Sequence, residues 1–213
     1  GAWADRVAPT MPESQILESG KNYALLYEST NQALNRSGST PVLSWSTTPI
    51  LLTEVDDKGW AIQYVSTGQY LYSTSSTNAY TSRSSIDNYC YWEIIKQDDG
   101  YSIQRAPANA QYYVEDQYFA LASNGNLQPN QTTPAVWLLM DIDACNRFLA
   151  EKQLYDALLL SESYDYNVDK YEAIYANESS TNEELINAAN TLNTALTNSN
   201  KITRQEWSDY PIL

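Results

Sequence analysis

The sequence contains no histidine, only two cysteines and only two phenylalanines. Without histidine, the chain lacks the commonest general base, the commonest zinc ligand and every nucleophile system that depends on imidazole. Cys90 and Cys145 are too few for a fold held together by disulfides. They could pair, but we favour two separate thiols. Carboxylates remain the only ready source of acid–base chemistry.

Basic residues are also scarce, with 12 Lys and Arg against 26 Asp and Glu and a formal net charge of −14. Such a surface repels phosphate backbones and anionic lipids, so the charge argues against nucleic acid as a partner. No apolar run is long enough to span a membrane, and no signal peptide is visible. The chain starts with Gly rather than Met, so we expect it to be part of a larger protein.

The usual motifs for cofactors and metals are missing. There is no Gly-rich phosphate loop, Cys-x-x-Cys, His-Glu-x-x-His or EF-hand pattern, so we predict no cofactor and no metal site. Asp141–Asp143 offers oxygen ligands but lacks the continuation of a calcium loop, and a helix cap explains it better.

Tyrosine and tryptophan, in contrast, are abundant, with 18 Tyr and 6 Trp. Hydrophobic residues make up 43% of the chain. The acidic residues are spread along the chain, which favours a folded protein over an acidic disordered tail. Amphipathic rings suit half-buried strands, and they equally suit contact with a sugar or a protein.

One segment of the chain is repeated. Asp56–Gln63 returns as Asp98–Gln104, so that Gly59 corresponds to Gly100, and Gly20–Leu26 is a looser third copy. A repeat of roughly 40 residues indicates one supersecondary unit used several times. The paired acids before each glycine are interpreted as turn residues.

Short apolar runs separated by polar turns indicate many short strands between about residues 20 and 142. The repeat groups them into three units of four strands, at about 20–58, 59–99 and 100–142, which could form a closed sheet without free edges. The opening strands are predicted at Tyr23–Tyr27, Trp60–Val65 and Tyr101–Arg105, the second strands at Gln69–Tyr72 and Gln111–Val114, and the closing strands at Ile50–Val55, Tyr91–Ile95 and Val136–Met140.

This scheme resembles the β-trefoil, closest to the ricin-type and fascin-like domains, over about 120 residues. The Gly-x-Tyr-Leu strand that contains Leu71 and the closing strands of Trp92 and Trp137 carry the resemblance. Ricin-type lectins end each unit with Gln-x-Trp, but here Cys90 and Ala135 stand two residues before those tryptophans. The acid that such lectins place after the second strand is also missing, so the usual lectin pocket is not expected.

The pattern changes to helical after Asp141. Asp143 is predicted to cap a helix that continues through Leu159, and a second helix is expected near Val168–Ala176. Thr181–Glu184 has the form of a capping box and opens a third helix. The Ala/Leu pattern of that helix resembles the FIVAR-type three-helix bundles of bacterial surface proteins. The predicted organisation is a leader or linker at 1–18, a β-trefoil domain at 19–142, a helical bundle at 143–200 and a connector at 201–213.

Together these patterns predict an all-β β-trefoil followed by a small all-α bundle. We expect a non-catalytic, extracytoplasmic binding or adhesion module that binds carbohydrate through Tyr/Asn-rich loops. The alternatives are a structural or protein–protein spacer module of a larger cell-surface protein, which could bind a host or cell-surface protein, and a glycosidase that uses two carboxylates. The candidate ligand-binding residues combine flat rings with amides and a carboxylate: Tyr80, Asp87, Asn88, Tyr89, Tyr118, Asn124 and Asn126.

Overall fold

The computed structural model describes residues 6–199, which fall into two compact units. One unit is Pro12–Asn146, and the described part of the other comprises residues 6–11 and 147–199. The first described residues therefore belong to the same unit as the last helices. The predicted connector at 201–213 lies outside the described residues.

The unit Pro12–Asn146 is built from β-strands that pair antiparallel throughout. The strands are β1 (Lys21–Tyr27), β2 (Gln32–Ser37), β3 (Thr40–Ser44), β4 (Ile50–Val55), β5 (Gly59–Tyr64), β6 (Gln69–Tyr72), β7 (Tyr80–Arg83), β8 (Trp92–Lys96), β9 (Tyr101–Arg105), β10 (Tyr118–Leu121), β11 (Leu127–Gln131) and β12 (Trp137–Met140).

The pairing of these strands defines the fold. Strands β1, β4, β5, β8, β9 and β12 form a closed ring in which each pairs with the next and β12 returns to β1. The other six strands form three hairpins, β2–β3, β6–β7 and β10–β11. Three successive four-strand units of this kind make a β-trefoil, as the repeat predicted.

The first residue of each closing strand occupies an equivalent position in the three units. Each of these residues pairs with a position near the start of its own opening strand and with the last position of the next opening strand. Ile50 is paired with Tyr23 and Tyr64, Trp92 with Trp60 and Arg105, and Trp137 with Tyr101 and Tyr27.

This register corrects the alignment of the third copy of the repeat. Tyr23 is the counterpart of Trp60 and Tyr101, so Asn22, and not Gly20, occupies the position of the two glycines. The first unit therefore belongs to the repeat but lacks its glycine.

Gly59 and Gly100 are required because their backbones approach the closing strands closely. A β-carbon at Gly59 would lie 2.6 Å from the Trp92 carbonyl oxygen, and one at Gly100 would lie 2.5 Å from that of Trp137. Gly59 also has a φ of +119°, in the left-handed region. The repeated glycine thus marks a steric requirement of the fold.

Aromatic rings fill the centre of the trefoil. Phe119 stacks on Trp137 with ring centroids 5.6 Å apart and planes 8° from parallel. The ring centroid of Trp92 is also 5.6 Å from that of Phe119. The indole N–H of Trp92 donates to the Leu71 carbonyl and that of Trp137 to the Phe119 carbonyl, each at 3.0 Å. Because both indoles are fully buried, these bonds satisfy their one polar group and join closing strand to hairpin.

The predicted second strand of the third unit, Gln111–Val114, is wrong. The amides of Tyr112 and Tyr113 both donate to the Asn109 carbonyl, which curls this segment into a turn. The strand that takes the predicted place is β10, and the residues between β9 and β10 form a long loop. Local turn formation at Asn109 has overridden the strand preference of consecutive tyrosines.

Part of the segment predicted as a leader is hydrogen-bonded to the ring of strands. The bonds run from Gln15 N to the Leu139 carbonyl (2.7 Å), from Leu139 N to Ser14 Oγ (2.9 Å), from Leu17 N to Tyr101 Oη (3.0 Å) and from Glu18 N to Tyr23 Oη (2.9 Å). Residues 14–18 are therefore an integral part of the trefoil unit.

Three helices follow: α1 (Ile142–Ser161), α2 (Asp169–Ala176) and α3 (Asn182–Thr197). The capping box of Thr181 and Glu184 is present at the start of α3, as predicted. At α1 the amide of Ala144 donates to Asp141 Oδ2 at 2.9 Å, so Asp141 caps the helix in place of Asp143. None of the described helices combines the length and apolarity needed to cross a bilayer.

The helical unit has its own apolar core, and the first described residues are bonded to this unit through Arg6 and Val7. The core contains Leu154, Leu158 and the apolar stripe of α3, whereas Leu159 is half exposed. Arg6 forms ion pairs with Glu162 at 2.8 Å and Glu172 at 3.1 Å. The N-terminal end of the described chain is therefore held within this unit by the buried Arg6 side chain and two half-buried glutamates.

We expect Gly100→Ala to destabilise the trefoil by about 2–3 kcal/mol, since the added methyl meets a backbone carbonyl that cannot move without distorting β12. Gly125→Ala is the matched control, because nothing lies within 4 Å of its β-carbon and only its φ of +87° is unfavourable. Urea unfolding followed by tryptophan fluorescence measures both. Equal midpoints for the two variants would contradict the steric role of Gly100.

Candidate functional site

The trefoil has three equivalent junctions between its units. At each one, the residue after an opening strand donates its amide to a carbonyl in the loop that precedes a closing strand. These hydrogen bonds are Glu28 to Val136 (3.0 Å), Val65 to Pro49 (3.1 Å) and Ala106 to Tyr91 (3.1 Å). The three junctions share this backbone geometry and differ in the side chains around it.

A polar and aromatic cluster occupies the junction between the second and third units, and we name it the tyrosine cluster. Strands β6 and β7 position its first members, because Tyr72 and Tyr80 are cross-strand partners with ring centroids 5.8 Å apart. The members are Tyr72, Tyr80, Arg83, Asp87, Tyr89, Gln111 and Tyr112.

Arg83 is the centre of this cluster. Its guanidinium carbon lies 4.5 Å from the Tyr72 ring centroid and 5.7 Å from that of Tyr89, within cation–π range. Arg83 Nη1 pairs with Asp87 Oδ2 at 3.0 Å, and Asp87 Oδ1 accepts the Tyr89 amide at 3.0 Å. Asp87 thus caps the 3₁₀ turn Asn88–Cys90 and orients Arg83 at the same time.

The third unit adds the remaining members through the long β9–β10 loop. The Tyr89 hydroxyl donates to Gln111 Oε1 at 2.8 Å, and Gln111 Nε2 donates to the Tyr112 hydroxyl at 3.1 Å. The rings of Tyr89 and Tyr112 are 6.0 Å apart. The cluster therefore bridges two units of the trefoil with half-buried rings and fixed polar groups.

The structure brings together three of the predicted site residues. Tyr80, Asp87 and Tyr89 lie in the tyrosine cluster, and the exposed Asn88 is beside them in the 3₁₀ turn. Tyr118 lies elsewhere, in β10, where it is paired with Gln131.

Asn124 and Asn126 lie in the exposed tip of the β10–β11 hairpin. Asn124 Oδ1 accepts the Asn126 amide at 2.9 Å, which stabilises the turn beside Gly125. Within residues 6–199, no hydrogen bond or ring contact joins this tip to the tyrosine cluster. The sequence prediction therefore combined two separate surfaces.

Sequence reasoning missed Tyr72, Arg83, Gln111 and Tyr112. Tyr72 was placed in a strand and Gln111 and Tyr112 in a predicted strand that does not form. The spacing of Arg83 and Asp87, four residues apart, was the one available signal for their ion pair.

A buried cation lies beneath the same junction. Arg105 is 2% exposed, and burial lowers its pKa. Its Nη1 donates to the Ser75 carbonyl and its Nη2 to Gln117 Oε1, both at 2.8 Å, while within residues 6–199 no carboxylate forms an ion pair with it. Carbonyl and amide oxygens therefore stabilise this charge and fix the loop at 75–76.

Arg105 is one of three equivalent residues that reach back to the hairpin of the preceding unit. Tyr64 donates its hydroxyl to the Asn35 carbonyl at 3.1 Å, and the hydroxyl of Tyr27 accepts the Leu121 amide at 3.0 Å. Each opening strand thus ends in a polar side chain that anchors a neighbouring hairpin. Only the third unit uses a charge for this purpose.

Both cysteines are free and fully buried in the structure. Burial raises the pKa of the Cys90 thiol to about 11 and that of Cys145 to about 12. Both are therefore protonated near neutrality and unsuited to nucleophilic chemistry. In the part of the chain that the structure describes, no group of three or more Cys, Asp or Glu residues is placed to hold a metal ion.

No protein-family model matches the chain, and no curated protein sequence does either. Solved structures resemble it in part. The lysenin pore matches with a TM-score of 0.48 and 16% identity over 61% of this chain and 50% of its own. A complex of lysenin with phosphocholine matches with a TM-score of 0.42 and 14% identity, over 60% of this chain and 46% of its own. This chain thus spans about half the length of those lysenin chains.

A designed threefold symmetric protein, ThreeFoil, matches with a TM-score of 0.44 and 15% identity, over 56% of this chain and 98% of its own. The match covers nearly all of a threefold protein and little more than half of this chain. At these identities such likenesses concern the fold and not the function.

Arg105→Met is expected to cost about 3 kcal/mol, because it leaves the Ser75 carbonyl and Gln117 without their charged donor. Tyr64→Phe is the matched control at the equivalent position, where one neutral hydrogen bond is lost and about 1 kcal/mol is expected. Urea unfolding followed by tryptophan fluorescence compares them. If Arg105→Met is no less stable than Tyr64→Phe, the anchoring role of Arg105 is wrong.

Proposed function

We propose that the trefoil is a non-catalytic carbohydrate-binding module and that the tyrosine cluster is its binding surface. The observation that carries the proposal is the combination of half-buried rings with a fixed, accessible ion pair. The side chains of Arg83 and Asp87 are 34% and 38% exposed. Arg83 lies against the rings of Tyr72 and Tyr89, and the Tyr80 ring is next to that of Tyr72. A sugar needs an apolar ring face for its C–H groups and fixed polar groups for its hydroxyls, and this cluster has both.

The setting we propose is extracytoplasmic, in a secreted or surface protein of a bacterium, with this chain as one part of a larger polypeptide. The helical unit supports the proposal through the FIVAR-like pattern of α3 (Asn182–Thr197) and its capping box. The target would be a glycan polymer or a host mucin-like sugar. The net charge of −14 favours a ligand without phosphate.

This location can be tested by fractionating the source cells and detecting the parent protein with an antibody raised against the 213-residue chain. We expect the antigen in the medium or at the cell surface, where intact cells are labelled. Recovery only from the cytoplasmic fraction would contradict the proposal.

A second candidate, a structural or protein–protein interaction module of a larger surface protein, is favoured by one observation. Arg83 covers the rings of Tyr72 and Tyr89, and Gln111 takes the Tyr89 hydroxyl, so much of the cluster bonds to itself. A cluster used only to join two units would have this form. Binding data on variants that keep the fold distinguish the two functions.

The experiment is a broad glycan array with the intact chain, followed by calorimetry on the glycans that bind. Tyr80→Ala removes a ring and Asp87→Asn removes a charge while keeping the shape of the side chain. We expect each to weaken binding about tenfold, equivalent to about 1.4 kcal/mol. Near-ultraviolet circular dichroism checks that the variants keep the native packing.

Asn124→Ala and Asn126→Ala are the controls, because these residues lie in the separate hairpin tip. If they abolish binding and the cluster variants do not, the site is the third hairpin. A blank array would overturn the carbohydrate proposal. Cleavage of any bound glycan, followed by chromatography of the same samples, would contradict the non-catalytic role.

A further inference from the structure

A cavity of about 350 Å³ lies at the junction between the third and first units. Its lining includes Glu28 and Ser29 from the turn after β1 and Leu121, Thr133, Pro134 and Val136 from the third unit. We name it the Glu28 pocket. Small-molecule sites usually have volumes of about 300–1,000 Å³, so this one has room for a single small ring rather than a peptide or a long oligosaccharide.

The Glu28 pocket is the counterpart of the tyrosine cluster in the threefold arrangement. The hydrogen bond from the Glu28 amide to the Val136 carbonyl is equivalent to the one from Ala106 to Tyr91, beside which the cluster lies. The two surfaces therefore lie at equivalent junctions, which are related by the approximate threefold symmetry of the trefoil.

Loop length explains why the two junctions differ. Residues 28–31 connect β1 to β2, whereas residues 106–117 connect β9 to β10. The longer loop brings Tyr112 to within 6.0 Å of Tyr89 and fills its junction with rings. The shorter turn, residues 28–31, contains no aromatic ring, and a cavity lies at the third–first junction.

The walls of the Glu28 pocket are fixed by the fold. The Leu121 amide donates to the hydroxyl of Tyr27 at 3.0 Å, and Tyr27 packs edge-on against Trp137 with ring centroids 4.8 Å apart. Asn31 Nδ2 donates to the Glu28 carbonyl at 2.8 Å and holds the turn. A preformed pocket of this kind binds a ligand without the cost of ordering its own loops.

The chemistry of the lining favours a neutral sugar ring. Among residues 6–199, Glu28 is the only charged residue in its lining, and a carboxylate accepts hydrogen bonds from neighbouring hydroxyls. Ser29 and Thr133 add hydroxyl groups, while Leu121, which is 36% exposed, and Pro134 offer apolar surface for C–H groups. Glu28 and the net charge of −14 both disfavour a uronate or a sulfated sugar.

We propose that the Glu28 pocket is a second carbohydrate subsite, which takes one neutral hexose-type ring. This inference rests on the proposed function, since it assigns the same ligand class to an equivalent junction. Two subsites on one domain would let the module engage a glycan-coated surface at two points, which raises its avidity without new contacts.

The test is an NMR titration of the isotope-labelled intact chain with the methyl glycosides of glucose, galactose, mannose and N-acetylglucosamine. Sodium glucuronate is the anionic comparison. We expect at least one neutral glycoside to shift the signals of Ser29, Leu121 and Thr133 in a saturable manner, and glucuronate to leave them unchanged. Glu28→Gln should weaken this binding about tenfold and leave the shifts at Tyr89 intact.

Each outcome separates the two proposals. Shifts at Tyr89 without shifts in the Glu28 pocket would overturn the subsite and leave the proposed function standing. Shifts in the pocket alone would support the subsite and contradict the assignment of the tyrosine cluster. Saturation by glucuronate, or binding that Glu28→Gln does not weaken, would contradict the role of the carboxylate. No shift at either junction with any glycoside would overturn both.

Discussion

The trefoil depends on the residue at the start of each closing strand, which is held between two opening strands. Trp92 and Trp137 fill the centre of the core from this position, and each donates its indole N–H to a hairpin carbonyl. Because burial of an unpaired indole would be costly, the hairpin must stay where that carbonyl is available. In each of these two units, one tryptophan side chain thus joins the ring of strands to the hairpin. The close backbone approach at Gly59 and Gly100 is a consequence of the same packing.

This constraint leaves the junctions free to vary. Their backbone hydrogen bonds are equivalent, yet one junction carries Glu28, another Val65 and the third Ala106. Loop length and side chains can therefore change at these points without disturbing the core. Both surfaces that we assign to ligand binding lie at such junctions. The binding chemistry that we propose for this domain lies in the parts in which the three units differ.

The sequence predicted the fold because its repeat carries the steric and packing requirements of the core. It predicted the candidate site less well. Arg83 meets Tyr72 through the register of the β6–β7 hairpin, and Tyr89 meets Tyr112 only where the second and third units come together. The strand predicted at Gln111–Val114 failed because hydrogen bonds to the Asn109 carbonyl decide the local conformation. The repeated glycine is absent from the first unit, so alignment on Gly20 gave the wrong register there.

The hydrogen bonds of residues 14–18 have a consequence for where this domain begins. They satisfy the hydroxyls of Tyr23 and Tyr101 and both backbone groups of Leu139, at the place where β9 and β12 share a single residue pair. A polypeptide cut at the first strand would expose these groups and weaken the sheet at a place where two neighbouring strands share one residue pair. The trefoil unit therefore begins upstream of its first strand, and residues 14–18 complete its sheet in addition to the twelve strands.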